Sequence, residues 1–139
     1  MQSNPTFNWP VRVYYEDTDA GGVVYHAQYL NFMERARTEW LRNLGFEHTT
    51  LLQQHHRIFV VHSMQIQFKK SAKLGDLITI ACTLVKVGHS SVEFLQTIQL
   101  NQQVLVTAQV KLACVGALTF KPISVPLAVK HIMQKQVME

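Results

Sequence analysis

The chain has 139 residues, of which 47% are hydrophobic, and its net charge is +4 with the histidines neutral. This length suits one domain, predicted over residues 1–139 with a core at about 9–120 and a C-terminal tail at 121–139. The basic excess is too small and scattered to indicate nucleic-acid binding, and no apolar stretch approaches the roughly 18 residues of a transmembrane helix.

The first predicted elements are a short strand and an acidic, glycine-rich loop. Residues 11–15 are β-rich, alternate in character and follow Pro10, which suits the start of a strand. Residues 16–22 contain Asp and Gly in a pattern typical of a turn. The chain therefore leaves a strand, crosses a turn and enters the next element.

That next element is a long helix, predicted over residues 27–44. Its apolar residues recur at three- and four-residue spacing. They are Tyr29, Leu30, Phe32, Met33, Trp40, Leu41 and Leu44, with either Ala36 or Arg37 at the position between Met33 and Trp40. Gly45 stands where a left-handed C-terminal cap is expected, with Phe46 folding back on the last turn. A second short helix is predicted over residues 49–55.

Four strands are predicted between residues 57 and 115, with turns at 74–76, 88–90 and 101–103. Consecutive strands joined by short turns predict an antiparallel meander. The simplest packing wraps this sheet around the long helix, which is an α+β arrangement. Exposed sheet edges need cover, so a homodimer or homotetramer is expected. A last short helix is predicted over residues 127–136.

The cysteines and the N-terminus predict the compartment. Cys82 and Cys114 lie in apolar alternating stretches and show no metal-binding spacing, so both are predicted to be free core residues. Residues 1–5 lack the basic start and apolar run of a signal peptide. A cytoplasmic location is therefore expected, where disulfides are rare.

The candidate chemistry lies in residues 14–27. This segment contains three carboxylates and two adjacent glycines, namely Glu16, Asp17, Asp19, Gly21 and Gly22. Adjacent glycines permit positive φ and a close approach of a ligand to the backbone. The unpaired N–H groups at the start of the following helix can stabilise an oxygen that gains negative charge. A carboxylate beside such donors is the arrangement that thioester hydrolysis requires.

Two other interpretations of the loop stay open on spacing alone. Asp17, Thr18 and Asp19 can form Asx-type turns and cap a helix, and spacing by itself favours this role. The three carboxylates can also supply oxygen ligands to a metal. The remainder of a calcium-binding loop is missing from the segment, so no metal site is predicted.

The run VRVYYEDTDAGGVVYHAQYLNFMERARTEWLR, residues 11–42, resembles the signature of the Tol-Pal-associated acyl-CoA thioesterases. These enzymes are relatives of the 4-hydroxybenzoyl-CoA thioesterases in the hotdog superfamily. The run FVVHSMQIQFKKSAKLGD, residues 59–76, adds support. The resemblance implies the hotdog fold, a long central helix wrapped by a curved antiparallel sheet. It also implies an acyl-CoA substrate, and no cofactor is predicted.

The resemblance assigns roles to single residues. It implies that Asp19 is the catalytic carboxylate, acting as nucleophile or as general base. His26 is the second predicted catalytic residue, which orients the thioester or assists proton transfer. Asp17 is expected to hold the loop by backbone hydrogen bonds. The predicted substrate-binding residues are Gly21, Gly22, Val24, Tyr25, Lys69 and Lys70.

The resemblance also suggests partners and leaves other functions open. Acyl carrier protein is an expected second thioester carrier, because a basic protein suits an acidic partner. A peripheral position at the inner membrane is compatible with the family. A non-hydrolytic acyl-binding or scaffold protein, linked to the Tol-Pal system or phospholipid synthesis, is the main alternative, and a hotdog hydratase is another. The carboxylate of Asp19 favours hydrolysis, since a pure binder would not need it.

Overall fold

A computed structural model describes residues 5–137. Residues 1–4 and 138–139 of the predicted domain lie outside the described residues, and so does most of the segment 1–5 on which the signal-peptide prediction rests. The elements in chain order are β1 (Thr6–Arg12), a 3-10 turn (Tyr15–Asp17), α1 (His26–Asn43), α2 (His48–His55), β2 (Arg57–Phe68), β3 (Leu77–Val87), β4 (Ser91–Leu100), β5 (Gln103–Gly116) and α3 (Leu127–Gln134). None of the helices within residues 5–137 is long and apolar enough to cross a membrane.

The five strands form one antiparallel sheet in the order β1-β3-β4-β5-β2. The meander predicted for four strands is wrong for the first of them, because β2 pairs with β5 and not with β3. The link between β2 and β3 crosses the start of α1 instead of turning back. There Ala72 N–H donates to Tyr29 Oη at 2.9 Å, and Ala72 O accepts from Val24 N–H at 2.9 Å. Alternation in the sequence predicts which face of a strand is buried, but not which strand is its neighbour.

The first strand lies earlier than predicted, at Thr6–Arg12 instead of residues 11–15. Pro10 is inside it, which is tolerated because β1 is at the edge of the described sheet and needs no N–H on its outer side. The strand ends before Tyr14 because the Tyr14 N–H donates to Asp17 Oδ2 at 2.8 Å. That bond begins the 3-10 turn and takes the backbone out of the sheet.

Helix α1 buries one face against the concave side of the sheet. Phe32 and Met33 are fully buried, and the Trp40 ring meets the Phe94 ring edge-on at 4.9 Å between centroids. Leu30 was predicted to belong to this stripe but is 38% exposed. The buried face is therefore narrower than the apolar pattern indicates.

The end of α1 confirms the predicted cap. Gly45 has φ of +97°, a conformation that favours glycine. Its N–H donates to Arg42 O at 2.9 Å, and Phe46 N–H donates to Leu41 O at 3.2 Å. This pair of bonds is the Schellman motif, which satisfies two carbonyls at the helix end and turns the chain toward α2.

The cysteines are free and buried, as predicted. Burial raises the pKa of the Cys82 thiol to about 11, with a hydrogen bond from Gln96 opposing the change. Thiolate is the reactive form, so neither cysteine should react with Ellman's reagent near neutral pH until the protein unfolds. Fast labelling of the native protein would contradict this burial.

The same pKa shift predicts a pH dependence. The folded Cys82 holds its proton more tightly than the unfolded thiol, whose ordinary pKa is 9.0. The free energy of unfolding should therefore fall as pH rises from this ordinary value toward about 11. Denaturant unfolding across that range, with Cys82→Ala as the comparison, measures the contribution of this thiol.

Candidate active site

A small hairpin, residues 17–25, leads directly into α1. Asp19 N–H donates to Val23 O at 3.0 Å, and Tyr25 N–H donates to Asp17 O at 3.1 Å. Asp19 therefore lies near the tip of the hairpin, and Tyr25 lies at its base beside the first turn of the helix. The predicted loop is an ordered unit with its own hydrogen bonds.

The tip of the hairpin depends on its glycines. Gly22 N–H donates to Asp19 O at 3.1 Å and Gly22 has φ of +78°, so a side chain at this position would be strained. Gly21 N–H donates to Asp19 Oδ1 at 2.9 Å, which is the Asx turn expected for such a loop. The capping part of that interpretation applies to the 3-10 turn, where Asp17 accepts from Tyr14 N–H. It does not apply to α1, whose N-cap is Tyr25 and makes no side-chain cap hydrogen bond.

The Asp19 carboxylate is exposed, and only one of its two oxygens accepts a hydrogen bond from the described residues. Its Oδ1 accepts the hydrogen bond from Gly21, whereas its Oδ2 accepts none from the described part of the chain. The bond to a glycine N–H in a tight turn restricts the side chain without burying it. One carboxylate oxygen is consequently free to meet water or a substrate.

The Asp17 carboxylate differs from that of Asp19 because it is only 7% exposed and both of its oxygens accept hydrogen bonds. Oδ2 accepts from Tyr14 N–H at 2.8 Å, as its predicted role in holding the loop requires. Oδ1 accepts from Gln28 Nε2 at 2.8 Å, a contact that the sequence does not predict. Asp17 thus ties the hairpin to the first turn of α1.

Replacing Asp17 should damage the loop. Asp17→Asn puts an amide donor against one of two donors, Tyr14 N–H or Gln28 Nε2. We expect it to lower the free energy of unfolding by about 1–3 kcal/mol, the usual cost of an unsatisfied buried polar group. Urea unfolding measures this change. The matched control is Glu16→Gln, an exposed neighbour, and equal stability of the two variants would contradict the role of Asp17.

The start of α1 provides two hydrogen-bond donors. Within residues 5–137, the N–H groups of His26 and Ala27 have no backbone or side-chain acceptor. Free N–H groups and the helix dipole favour a negatively charged oxygen at this point. The exposed His26 ring lies here too, with its centroid 4.6 Å from the ring of Tyr25.

Phe68 is a member of the site that the sequence does not reveal. Its ring lies 6.2 Å from the ring of His26 and 5.9 Å from that of Tyr29. The Tyr29 hydroxyl accepts from Ala72 N–H, and desolvation raises its pKa, so it stays protonated and fixed. Phe68 ends β2, far from α1 along the chain, and no local pattern could join them.

The same strand end brings the predicted lysines to the helix start. Lys69 and Lys70 directly follow Phe68, whose ring contacts His26. Their N–H groups both donate to Leu105 O, at 2.8 and 3.1 Å, and both residues are exposed. The structure thus places two cationic side chains at the same end of the molecule as the free N–H groups.

Val24 is predicted to bind substrate, but the structure buries its side chain. It is only 4% exposed, and its N–H is used by Ala72 O. Its side chain packs in the core and its N–H is used, so Val24 anchors the hairpin. Among the described residues, no three His, Cys, Asp or Glu side chains are grouped as metal ligands.

The curved antiparallel sheet around a long central helix is the hotdog fold. The family model described as Thioesterase superfamily matches residues 21–107. An acyl-CoA thioesterase, YbgC, of Haemophilus influenzae is 48% identical over 89% of this chain and 91% of its own length. An acyl-CoA thioester hydrolase, also YbgC, of Escherichia coli is 43% identical over 88% and 92%.

A solved structure agrees with these relatives. The probable thioesterase from Bartonella henselae has a TM-score of 0.84 and 37% identity, covering 88% of this chain and all of that one. The chain belongs to the thioesterase superfamily and is a thioester hydrolase. The matched family model begins at Gly21, two residues after Asp19.

Proposed function

We propose that the protein hydrolyses acyl-CoA thioesters to a free acid and CoA, with Asp19 as nucleophile or as general base toward water. One observation carries this proposal: an exposed carboxylate with a free oxygen stands on a fixed turn that leads to the free N–H groups of His26 and Ala27. Relatives that are named acyl-CoA thioesterases support the substrate class.

The arrangement suits the charges that develop during hydrolysis. Attack on the thioester carbonyl gives its oxygen a negative charge, which the N–H groups of His26 and Ala27 and the helix dipole stabilise. The hairpin that carries Asp19 leads through Tyr25 directly into this helix start. The exposed His26 imidazole orients the thioester or gives a proton to the departing sulfur.

Release of free CoA tests the proposal directly. Purified protein is mixed with short, long and aromatic acyl-CoAs, and the free thiol is followed with a chromogenic thiol reagent. Turnover of at least one class is the expected result. Binding of acyl-CoA without release would instead support the non-hydrolytic acyl-binding protein. The same acyl chain on acyl carrier protein, assayed in parallel, tests whether that carrier is also a substrate.

The lysines after β2 are proposed to bind the CoA phosphates. Lys69→Ala combined with Lys70→Ala should raise KM for acyl-CoA by about threefold to thirtyfold with little change in kcat, since exposed charge contacts contribute roughly 0.3–1 kcal/mol each. A matched substrate, the acyl-pantetheine without the nucleotide phosphates, should show no such increase. Lys121→Ala, an exposed lysine beyond β5, is the control variant. An unchanged KM in the double variant would contradict the assignment.

A symmetric dimer is proposed through β2. This strand has twelve residues and lies at one edge of the described sheet, and its Val60, Val61 and Phe68 are exposed. A long apolar edge normally needs cover, and pairing with the same edge of a second copy supplies it. Light scattering in solution should give twice or four times the chain mass. A monomer at all concentrations would exclude this pairing.

A further inference from the structure

A cavity lies between α1 and β2, away from the hairpin that carries Asp19. It has a volume of about 400 Å³. Four of its lining residues fall three and four positions apart on one face of α1, namely Glu34, Arg37, Thr38 and Leu41. The opposite walls are apolar and include Phe59, Phe94, Leu112 and Met133. The cavity, called here the Arg37 cleft, has the size of a small-molecule site.

Arg37 is held rigidly at this cleft. It is only 7% exposed, and its Nη1 donates to Gln96 Oε1 at 2.9 Å. Gln96 is fully buried and is itself fixed, because its Nε2 donates to Met33 O at 3.1 Å and to Cys82 Sγ at 3.0 Å. The guanidinium is therefore positioned by a chain of buried polar contacts.

Most of the Arg37 donors remain free. A guanidinium has five N–H donors, and within residues 5–137 Arg37 makes one side-chain hydrogen bond and no ion pair. No fully buried side-chain nitrogen or oxygen of the described residues lacks a partner. The other guanidinium nitrogens consequently reach the surface of the cleft. Such a fork matches the two oxygens of a carboxylate.

The other charged and titratable groups at the cleft do not occupy this fork. Glu34 is exposed and lies one turn earlier on the same face of α1, too far for an ion pair with Arg37. His48 lines the opening, and its partial burial lowers its pKa, which keeps it neutral near pH 7. Arg37 is thus the buried cation of the cleft, and the Glu34 carboxylate acts on it by charge without forming an ion pair within 4 Å.

We infer that the Arg37 cleft binds a monocarboxylate with an apolar body, the carboxylate on the Arg37 guanidinium and the body against Phe59, Leu112 and Met133. Two sources share this chemistry. One is a free carboxylic acid, such as the product of thioester hydrolysis. The other is the distal carboxylate of an acyl chain that ends in a second acid group. Binding itself does not depend on the proposed hydrolysis.

Calorimetric titration with octanoate and 1-octanol tests the inference, because the two ligands share an apolar body and differ in charge. Wild-type protein should bind octanoate about tenfold to a hundredfold more tightly than octanol, as a charge-assisted hydrogen bond predicts. Arg37→Met should lose this preference while octanol still binds. Equal binding of both ligands to wild type, or an unchanged preference in Arg37→Met, would overturn the inference.

Two further variants keep the test decisive. Arg37→Lys retains the charge without the fork, so it should keep a reduced preference for octanoate, and this variant decides the matter if Arg37→Met does not fold. Glu34→Gln removes a negative charge, which repels the octanoate carboxylate, from the same face of α1. This variant should therefore bind octanoate as well as wild type or better. A loss of octanoate binding in Glu34→Gln would contradict the assignment to Arg37.

The source of the carboxylate is decided by rates. Octanoyl-CoA is compared with the CoA thioester of octanedioic acid in wild type and Arg37→Met. A selective loss of kcat/KM for the diacid thioester places the acyl chain in the cleft. Equal effects on both substrates, together with inhibition by octanoate that Arg37→Met relieves, indicate the free acid. The octanoate titration stands even if no thioester is hydrolysed, so failure of the proposed function is separable from failure of this inference.

Discussion

Asp19→Asn should lower kcat for acyl-CoA hydrolysis by about a hundredfold to ten-thousandfold, the range observed when general acid-base catalysis is removed. The amide of asparagine has nearly the size of the carboxylate but cannot take a proton from water or attack a carbonyl. Its side-chain oxygen can still accept the hydrogen bond from Gly21 N–H, so the turn is kept. Because Asp19 is exposed, the free energy of unfolding should change by no more than about 0.5 kcal/mol.

The controls separate catalysis from turn formation. Glu16→Gln removes a nearby exposed carboxylate and should leave kcat unchanged. Asp19→Ala removes the hydrogen bond to Gly21 as well, so any stability loss found only in Asp19→Ala belongs to the turn. Thiol release and urea unfolding are measured on the same preparations. If Asp19→Asn turns over like wild type, the carboxylate has only a structural role and the hydrolytic mechanism proposed for it fails.

The helical part of the fold was predictable because its signals are local. The period of apolar residues places α1 at His26–Asn43, within one residue of the predicted bounds, and Gly45 ends it as expected. The first strand was misplaced for an equally local reason. The Asp17 carboxylate captures Tyr14 N–H, and alternation alone does not reveal that competing bond.

The features of the site that the sequence does not predict depend on contacts between segments that are distant along the chain. Asp19 is predicted as the catalytic carboxylate from the resemblance that its contiguous loop carries, and Asp17 is predicted to hold the loop because short polar side chains hold turns. Phe68 reaches His26 only because β2 crosses to the far edge of the sheet. The stripe predicts either Ala36 or Arg37 at one buried position, and the structure buries both. It could not reveal how Arg37 is satisfied there, because its partner Gln96 is contributed by β4.

Phe32→Ala should have the largest effect on stability. Phe32 is fully buried on α1 at the concave face of the sheet, and its ring meets that of Tyr29 at 6.4 Å between centroids. Removing the ring leaves a cavity in a core that cannot close around it. We expect the free energy of unfolding to fall by about 3–5 kcal/mol. Chemical unfolding at one fixed protein concentration measures it, since an oligomer would make the value depend on concentration.

Leu30→Ala is the matched control, because Leu30 lies on the same helix and is 38% exposed. Its cost should stay below about 1 kcal/mol, and equal losses in the two variants would mean that α1 is not enclosed by the sheet as described. Activity sharpens the comparison. The free N–H groups and the hairpin depend on the position of α1, and Phe32 packs on Tyr29 in the first turn of that helix. Tyr29 is also held by the hydrogen bond from Ala72 N–H to its hydroxyl. Under conditions where Phe32→Ala remains folded, we therefore expect this bond to keep kcat close to that of wild type, and a large loss would show that core packing controls the geometry at Asp19.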